Sequence, residues 1–417
     1  MRTPTASSAT AAHQRGAAVL VVTLLLFAAM ALAAAYVNRN LVFEQRSAAN
    51  HARATQAFEA AEAGLEWALA QLNSPGRIGA DCAPTTDAGA TSFRGRYVGF
   101  ERSRRLWLPT PGVRAACVES GRGWSCSCPA SGEPRLAAPA GPAPAFVLQF
   151  LPSGRPGVVR VSATGCTSLA GACVVGSATR ADATATLEVA FGLLGALYTA
   201  PAATLTLRGA FDADTAALGL TNADPATGLA VQAGGFIAAG RARIGTAPGA
   251  PSADALIGHD RGLAALTPER FFSAHFGADR AGWSQRSGVT RLGCSGDCSA
   301  ALAAAVAATP DSAQVWIDGD ATLTGPLPLG TPERPVLLVV RGTARLSGDV
   351  ALTGVLYAGA VEWRDSGSAA GVRGALLSEA GYAGNGAPEF VYDTEVLVRL
   401  TAQAGTLARV SGSWRDF

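Results

Sequence analysis

The sequence predicts an α+β protein: a long amino-terminal helix packed on an antiparallel sheet, then an all-β carboxy-terminal module that reads as a short right-handed β-helix with a helical insertion. Three observations predict it. An apolar run starting at Ala17 continues without a breaker into an amphipathic stretch that stops only at Ser74-Pro75-Gly76. Alternating apolar segments at 145–151, 157–164 and 183–191 are separated by turn residues. Similar short strings recur in the second half, GALYTA at 195, GVLYAG at 354 and GALLSE at 374, the last two starting twenty residues apart. At 417 residues, with 49% of them hydrophobic, the chain exceeds one ordinary domain and can bury two cores. The expected division is 1–16, 17–73, 74–192 and 193–417, with an insertion at about 260–312.

The first element is AAVLVVTLLLFAAMALAAAYV, residues 17–37, free of charge, proline and glycine and long enough to span a bilayer as a helix. Arg2 and Arg15 precede it, which by the positive-inside tendency keeps the short amino-terminal piece cytoplasmic and sends everything after it across. A cleavable signal peptide ending near Ala31 to Ala35 is the alternative. Against it, Asn38 to about Asn73 contains no proline and one glycine, Gly64, while Leu41, Phe58, Ala61, Leu65, Leu69 and Leu72 largely follow three- and four-residue spacing. The two parts make one helix of about 57 residues, roughly 85 Å long. A discarded peptide has no reason to be continuous with such a helix.

From Pro75 to about Ala145 the chain is rich in Pro, Gly, Arg and Cys, with one strand expected at Phe93 to Glu101. Eight cysteines, Cys82, Cys117, Cys126, Cys128, Cys166, Cys173, Cys294 and Cys298, all follow the apolar run, which suits disulfides in an oxidising compartment. Zinc is the competing reading, but the spacings are C-x-C, C-x6-C and C-x3-C, and no histidine lies close in sequence. Cys166 with Cys173 and Cys294 with Cys298 are plausible local bridges, which leaves the other four to pair among themselves. The three segments between 145 and 191 read as an antiparallel meander. Beyond them PVLLVVRG, ARLSG, VALTG and PEFVYD are brief strands punctuated by glycine. Units of about twenty residues point to a solenoid, because each coil buries its apolar side only against a neighbour. A compact β-sandwich with coincidental repeats is the alternative. PERFFSAHF and SAALAAAVAA are expected helices within the insertion, capped by Thr267 and Ser299.

The chemistry is mostly negative. The formal charge is +2 and, with no lysine, every fixed positive side-chain charge is an arginine; Arg102, Arg104, Arg105 and Arg114 are interleaved with acids and prolines, as on a solvated face, not a nucleic-acid stripe. There is no G-x-S-x-G, no H-E-x-x-H and no G-x-x-x-x-G-K. His259 sits in a turn-like GHDRG and His275 in an aromatic helix that favours packing over ligation. Asp318 with Asp320, or Asp212 with Asp214, have the oxygen chemistry for calcium, but acidic turns between strands explain them as well. Carboxylate pairs on a β-helix also suit polysaccharide-degrading enzymes, yet Trp316 and Trp363 are the only tryptophans in its strands, too few for a sugar platform. The expectation is a structural protein without catalytic, cofactor or metal site.

Two stretches resemble known proteins. QRGAAVLVVTLLLF, with Gly16 directly before the apolar run, resembles the class III leader of type IV prepilins, and FEQRSAANHARATQAFEAAEAGLEWAL, residues 43–69, is similar to the amino-terminal region of PilX-type pilus assembly proteins. The resemblance covers about residues 14–72. It implies cleavage between Gly16 and Ala17 by the prepilin peptidase, methylation of the new amino terminus at Ala17, and a helix that serves first as an inner-membrane anchor and then as filament core. The implied partners are other minor and major pilins, the peptidase, the inner-membrane assembly platform and a tip adhesin. The implied location is the bacterial inner membrane, single-pass with a periplasmic carboxy-terminal part, and later the pilus or cell surface. The sequence departs from major pilins at Ala17, where they have phenylalanine, and at Val21, where they have the glutamate thought to pair with the amino terminus of the subunit ahead. A buried positive charge left unpaired is costly, so the departure favours a tip or initiating minor pilin, which has no subunit ahead of it. The alternatives are a K-type pseudopilin of a type II secretion system and a membrane-anchored β-helix adhesin or polysaccharide-acting enzyme.

Overall fold

The computed structural model describes residues 15–121, 123–137, 143–168, 173, 183–213 and 217–417; the leader before Arg15 and Asp214 lie outside them. The first element is the helix Arg15–Leu72. It divides between two compact units, Met1–Gln56 and Ala57–Phe417. In the first unit every described side chain from Ala18 onward is exposed.

In the second unit the end of the helix buries Ala57, Ala60, Ala61, Leu65, Ala68 and Leu72, an amphipathic stripe at three- and four-residue spacing. It lies on an antiparallel sheet whose strands run, in spatial order, Gly405–Arg409, Thr184–Gly195, Val158–Cys166, Ala145–Pro152, Ala115–Ser120 and Gly123–Ser127. Small residues on both sides set the helix-to-sheet distance. A Cβ on Gly165 would stand 2.1 Å from the Ala57 carbonyl oxygen and 2.3 Å from the Ala61 nitrogen, and one on Gly64 would meet the Phe146 ring at 2.9 Å. Phe93, Tyr97, Phe146, Leu148, Phe150, Val161 and Phe191 complete this core.

The segment expected as a strand from Phe93 to Glu101 divides. Phe93–Tyr97 is a short helix whose N-cap Ser92 accepts from the Gly95 N–H, and only Val98–Glu101 is a strand. The cap starts a single helical turn that puts Phe93 and Tyr97, four residues apart, on its buried side.

The second half forms parallel ladders on three faces. On the first, Val315, Leu338, Leu356, Leu376, Leu205, Val231 and Leu256 stand in one column of register partners. On the second the column is Ala321, Ala344, Val361, Tyr382, Phe211 and Ile237, and on the third Leu329, Leu352, Val372, Phe390, Leu220 and Ile244. These columns contribute to one apolar interior. The twenty-residue recurrence in the sequence is this register: Gly354 is paired with Gly374 and Val355 with Ala375.

The first face is buried on both sides, which is why PVLLVVRG is apolar without alternation. Leu337, Val339, Val355, Tyr357 and Leu377 point away from the interior and pack under the helices Pro268–Phe276, Arg280–Ser284 and Thr394–Ala402. Thr267 caps the first of these, accepting from the Arg270 N–H. Ser299 is not a cap but the first residue of the helix Ser299–Ala308, with Cys298 in the cap position. That helix sends Leu302 into the interior and packs against the strands Val289–Leu292, Ala321–Thr324 and Leu327–Leu329, closing that end of the stack.

The coil order does not follow the chain. Ala203–Leu207 joins the last long pass, Gly371–Ser378, so the segment before the helical insertion stacks beyond the segment after it. The chain then returns to where it left: Gly405–Arg409 and Arg415–Asp416 pair antiparallel with Thr184–Gly195. The sequence reading kept everything after residue 192 in the carboxy-terminal module; its last strands instead belong to the antiparallel sheet.

Candidate functional site

The helix Arg15–Leu72 carries the features that matter for function. Gly16 and Ala17 lie at its start, and from Ala18 its most apolar stretch has a mean hydropathy of 2.7 and none of it is buried. Val19, Leu20, Val21, Leu24, Leu25 and Phe27 are each more than half exposed. Thr23 is the polar interruption in this stretch, and its hydroxyl donates to the Leu20 carbonyl at 3.0 Å, as an apolar surrounding requires. The helix is long and apolar enough to cross a membrane.

The cysteines form four disulfides, Cys82–Cys128, Cys117–Cys126, Cys166–Cys173 and Cys294–Cys298. Cys117–Cys126 ties two antiparallel neighbours at the sheet edge, where these residues are register partners. Cys294–Cys298 fastens the approach to the closing helix Ser299–Ala308.

The remaining candidate residues are engaged in structure. The Asp318 carboxylate accepts from Trp316 Nε1 at 2.8 Å and from Arg291 at 2.7 Å, and these contacts hold it below the ordinary carboxylate range. Asp320 accepts from the Thr343 N–H at 2.9 Å and from Arg345 at 2.8 Å, with a shift in the same direction. Both acids brace the corner between neighbouring coils. Among the described residues no group of three or more His, Cys, Asp or Glu side chains is placed to hold a metal ion. Trp316 and Trp363 are buried and offer no platform. His275 packs edge-on to Phe271, and burial lowers its pKa. His259 is exposed with φ of 54°, the turn backbone its GHDRG context implied.

A buried polar network escaped sequence reasoning. Glu379 accepts from the Tyr357 hydroxyl at 2.6 Å and from Arg280 at 2.6 Å, and Arg280 also reaches Glu269 at 3.3 Å. Burial and the Glu379 carboxylate push the Tyr357 hydroxyl far above its ordinary pKa. The network pins the covering helices to the first face. Glu379 ends the recurring GALLSE string, but nothing local signals that its partner lies ninety-nine residues earlier.

An exposed, membrane-length apolar helix continues into the core of a disulfide-bonded antiparallel sheet. Residues 15–66 match the family model described as PilX N-terminal, so this stretch is similar to the amino-terminal region of PilX-type pilus assembly proteins. The competence-associated pilin ComZ from Thermus thermophilus is a solved structure similar over 88% of this chain and 97% of its own, at 13% identity and a TM-score of 0.25. No curated protein matches the chain.

Proposed function

We propose that this protein is a minor pilin of a type IV pilus, a structural and assembly subunit at or near the filament tip, and not an enzyme. The observation that carries the reading is the PilX match laid on a helix whose first half is apolar and exposed. Such a helix exchanges lipid contacts for packing against other pilin helices without changing its own fold. Cleavage falls between Gly16 and Ala17, with methylation of Ala17, and the chain crosses the inner membrane once with its carboxy-terminal part periplasmic. Val21 leaves no carboxylate to neutralise the amino terminus of a subunit ahead, which supports the first position in the filament.

The three parallel faces read as a short β-helix, the expected form of the second half, displayed for contact with other minor pilins, a tip adhesin or a surface. Other pilins, the prepilin peptidase and the inner-membrane assembly platform are its partners. The first experiment is mass spectrometry of the mature amino terminus in cells with and without the peptidase. A chain beginning at methylated Ala17, lost without the peptidase, is expected. An intact terminus or a cut near Ala35 removes the filament reading and leaves an anchored or secreted β-protein.

A further inference from the structure

From Asn38 to Gln56 the long helix lies beyond the apolar run and ahead of Ala57, the first of its residues to be buried. Every side chain in this stretch is exposed, Val42 and Phe43 by 39% and 73%. No acid and base stand three or four positions apart within it. A helix segment with neither packing nor such pairs is marginal in water, because helical stability in proteins comes mostly from a packed face. The stretch therefore calls for a partner along its side.

Two of its charges say what that partner carries. Arg46 and Arg53 are seven residues apart, two turns and about 10 Å along one side of the helix. The residues three and four positions from them are Val42, Phe43, Ala49, Asn50, Gln56 and Ala57, none of them acidic, and Glu44, two positions from Arg46, faces elsewhere. Among the described residues neither guanidinium has an ion pair or a hydrogen bond. Lipid headgroups account for Arg39, two residues past Val37, but Arg46 stands about 13 Å and Arg53 about 24 Å of helix beyond that residue, whereas the headgroup layer is only ~5–8 Å deep.

A helix of the same class can supply the opposite charge. In this chain Glu59, Glu62 and Glu66 form an exposed acidic stripe, and Glu59 and Glu66 repeat the seven-residue spacing of the arginines. Glu66 pairs with Arg409, while Glu59 and Glu62 have no cationic partner among the described residues. We propose that Arg46 and Arg53 dock on the helix of a neighbouring pilin subunit that carries carboxylates two turns apart, with Val42 and Phe43 packed at the same contact. Charge complementarity then fixes the register of the two helices, since a slip of one or two residues turns the carboxylates away. The inference rests on the filament reading and adds to it the chemistry of the neighbour.

Photo-crosslinking in piliated cells tests it, with Asn50, which lies between the two arginines on their side, replaced by a benzophenone amino acid. Peptide mapping of sheared filaments is expected to place the adduct on the helix of another pilin subunit, at a segment with two carboxylates seven residues apart. No adduct, or adducts with lipid or with a peptide lacking such a pair, overturn the proposal. R46E/R53E is expected to lower the chain's share in sheared filaments at least about fivefold, with cleavage before Ala17 unchanged, because like charges then meet at the contact; R46K/R53K is expected to stay within about twofold of the wild type. Reversal without effect, or equal loss in the lysine variant, overturns the proposal as well. Wild-type chain absent from the filaments removes the filament reading itself and the docking with it, so the two failures are told apart. The crosslink needs no charge variant and stands even if R46E/R53E fails to fold.

Discussion

Single side chains decide how closely the helix and sheet of the antiparallel half approach. Gly165 faces helix backbone, which cannot move aside as a side-chain tip can, whereas the atom opposing Gly64 belongs to the Phe146 ring. Overpacking of this kind typically costs ~1–3 kcal/mol, and the backbone case belongs at or above the top of that range. Gly165→Ala is therefore expected to destabilise the second unit by about 3 kcal/mol or more, and Gly64→Ala by roughly 1 kcal/mol after the ring shifts. Denaturant unfolding of the two variants, with the disulfides kept oxidised, measures the order. Equal losses would mean that the helix slides on the sheet to relieve the contact. Neither glycine announced its purpose in the sequence, where Gly64 stood out only as the single glycine of a long helical stretch.

At the scale of elements, what could be read from the sequence divides by the range of the interaction. The long helix was legible because an unbroken apolar run followed by an amphipathic one is a local signal. The twenty-residue recurrence was legible because parallel coils stack like on like, as in the pairing of Gly354 with Gly374. The junction of Leu205 with Leu376 was not, since neither segment carries a mark of a partner so far along the chain. The short helix at Phe93 was missed although Ser92 stood ready as its cap.

The corners of the stack depend on ionised aspartates. Asp260 accepts from Gln232 and caps the helix Arg261–Ala264, Asp297 accepts from the Ser299 hydroxyl and N–H, and Asp318 accepts from Trp316 and Arg291. In each case the hydrogen bonds depress the folded pKa. A depressed folded pKa contributes stability that is fully present above the unfolded value, near ~4, and is lost as pH falls through the folded value. Thermal unfolding followed by circular dichroism is expected at a lower temperature at about pH 3 than at about pH 6. The double variant D297N/D318N is expected to begin lower at the higher pH and to fall less between the two. An unchanged pH dependence in that variant would assign the acid sensitivity to other carboxylates.

At the scale of the whole molecule, the parallel stack is an insertion within a sheet, not an appendage to its end. The chain leaves at Gly195 and returns at Gly405, and these two residues are register partners; the Ala196 N–H donates to the Ala404 carbonyl at 2.8 Å. The returning strand completes the antiparallel core. Leu407 is buried beneath the sheet, and its backbone exchanges two hydrogen bonds with the Asn73 side chain, one of 2.8 Å and one of 2.7 Å, where the long helix ends. A chain cut after Gly195 loses all of this. Burial of Leu407 is worth ~1.5–3 kcal/mol, and the Asn73 side chain, buried with two lost partners, adds about 1–3 kcal/mol more. If instead residues 197–403 are replaced by Asn-Gly, the two strands become an ordinary hairpin, because that dipeptide supplies the tight turn antiparallel neighbours need. The hairpin-joined chain is expected to melt cooperatively with Cys82–Cys128 and Cys117–Cys126 formed. The cut chain is expected to melt roughly 10 °C lower or without a transition, since ~3 kcal/mol corresponds to about that shift in a unit of this size. Each chain lacks the stack, so the difference between them isolates the returning strand. Equal melting would show that the sheet is complete without it and that the stack could be joined at one end alone.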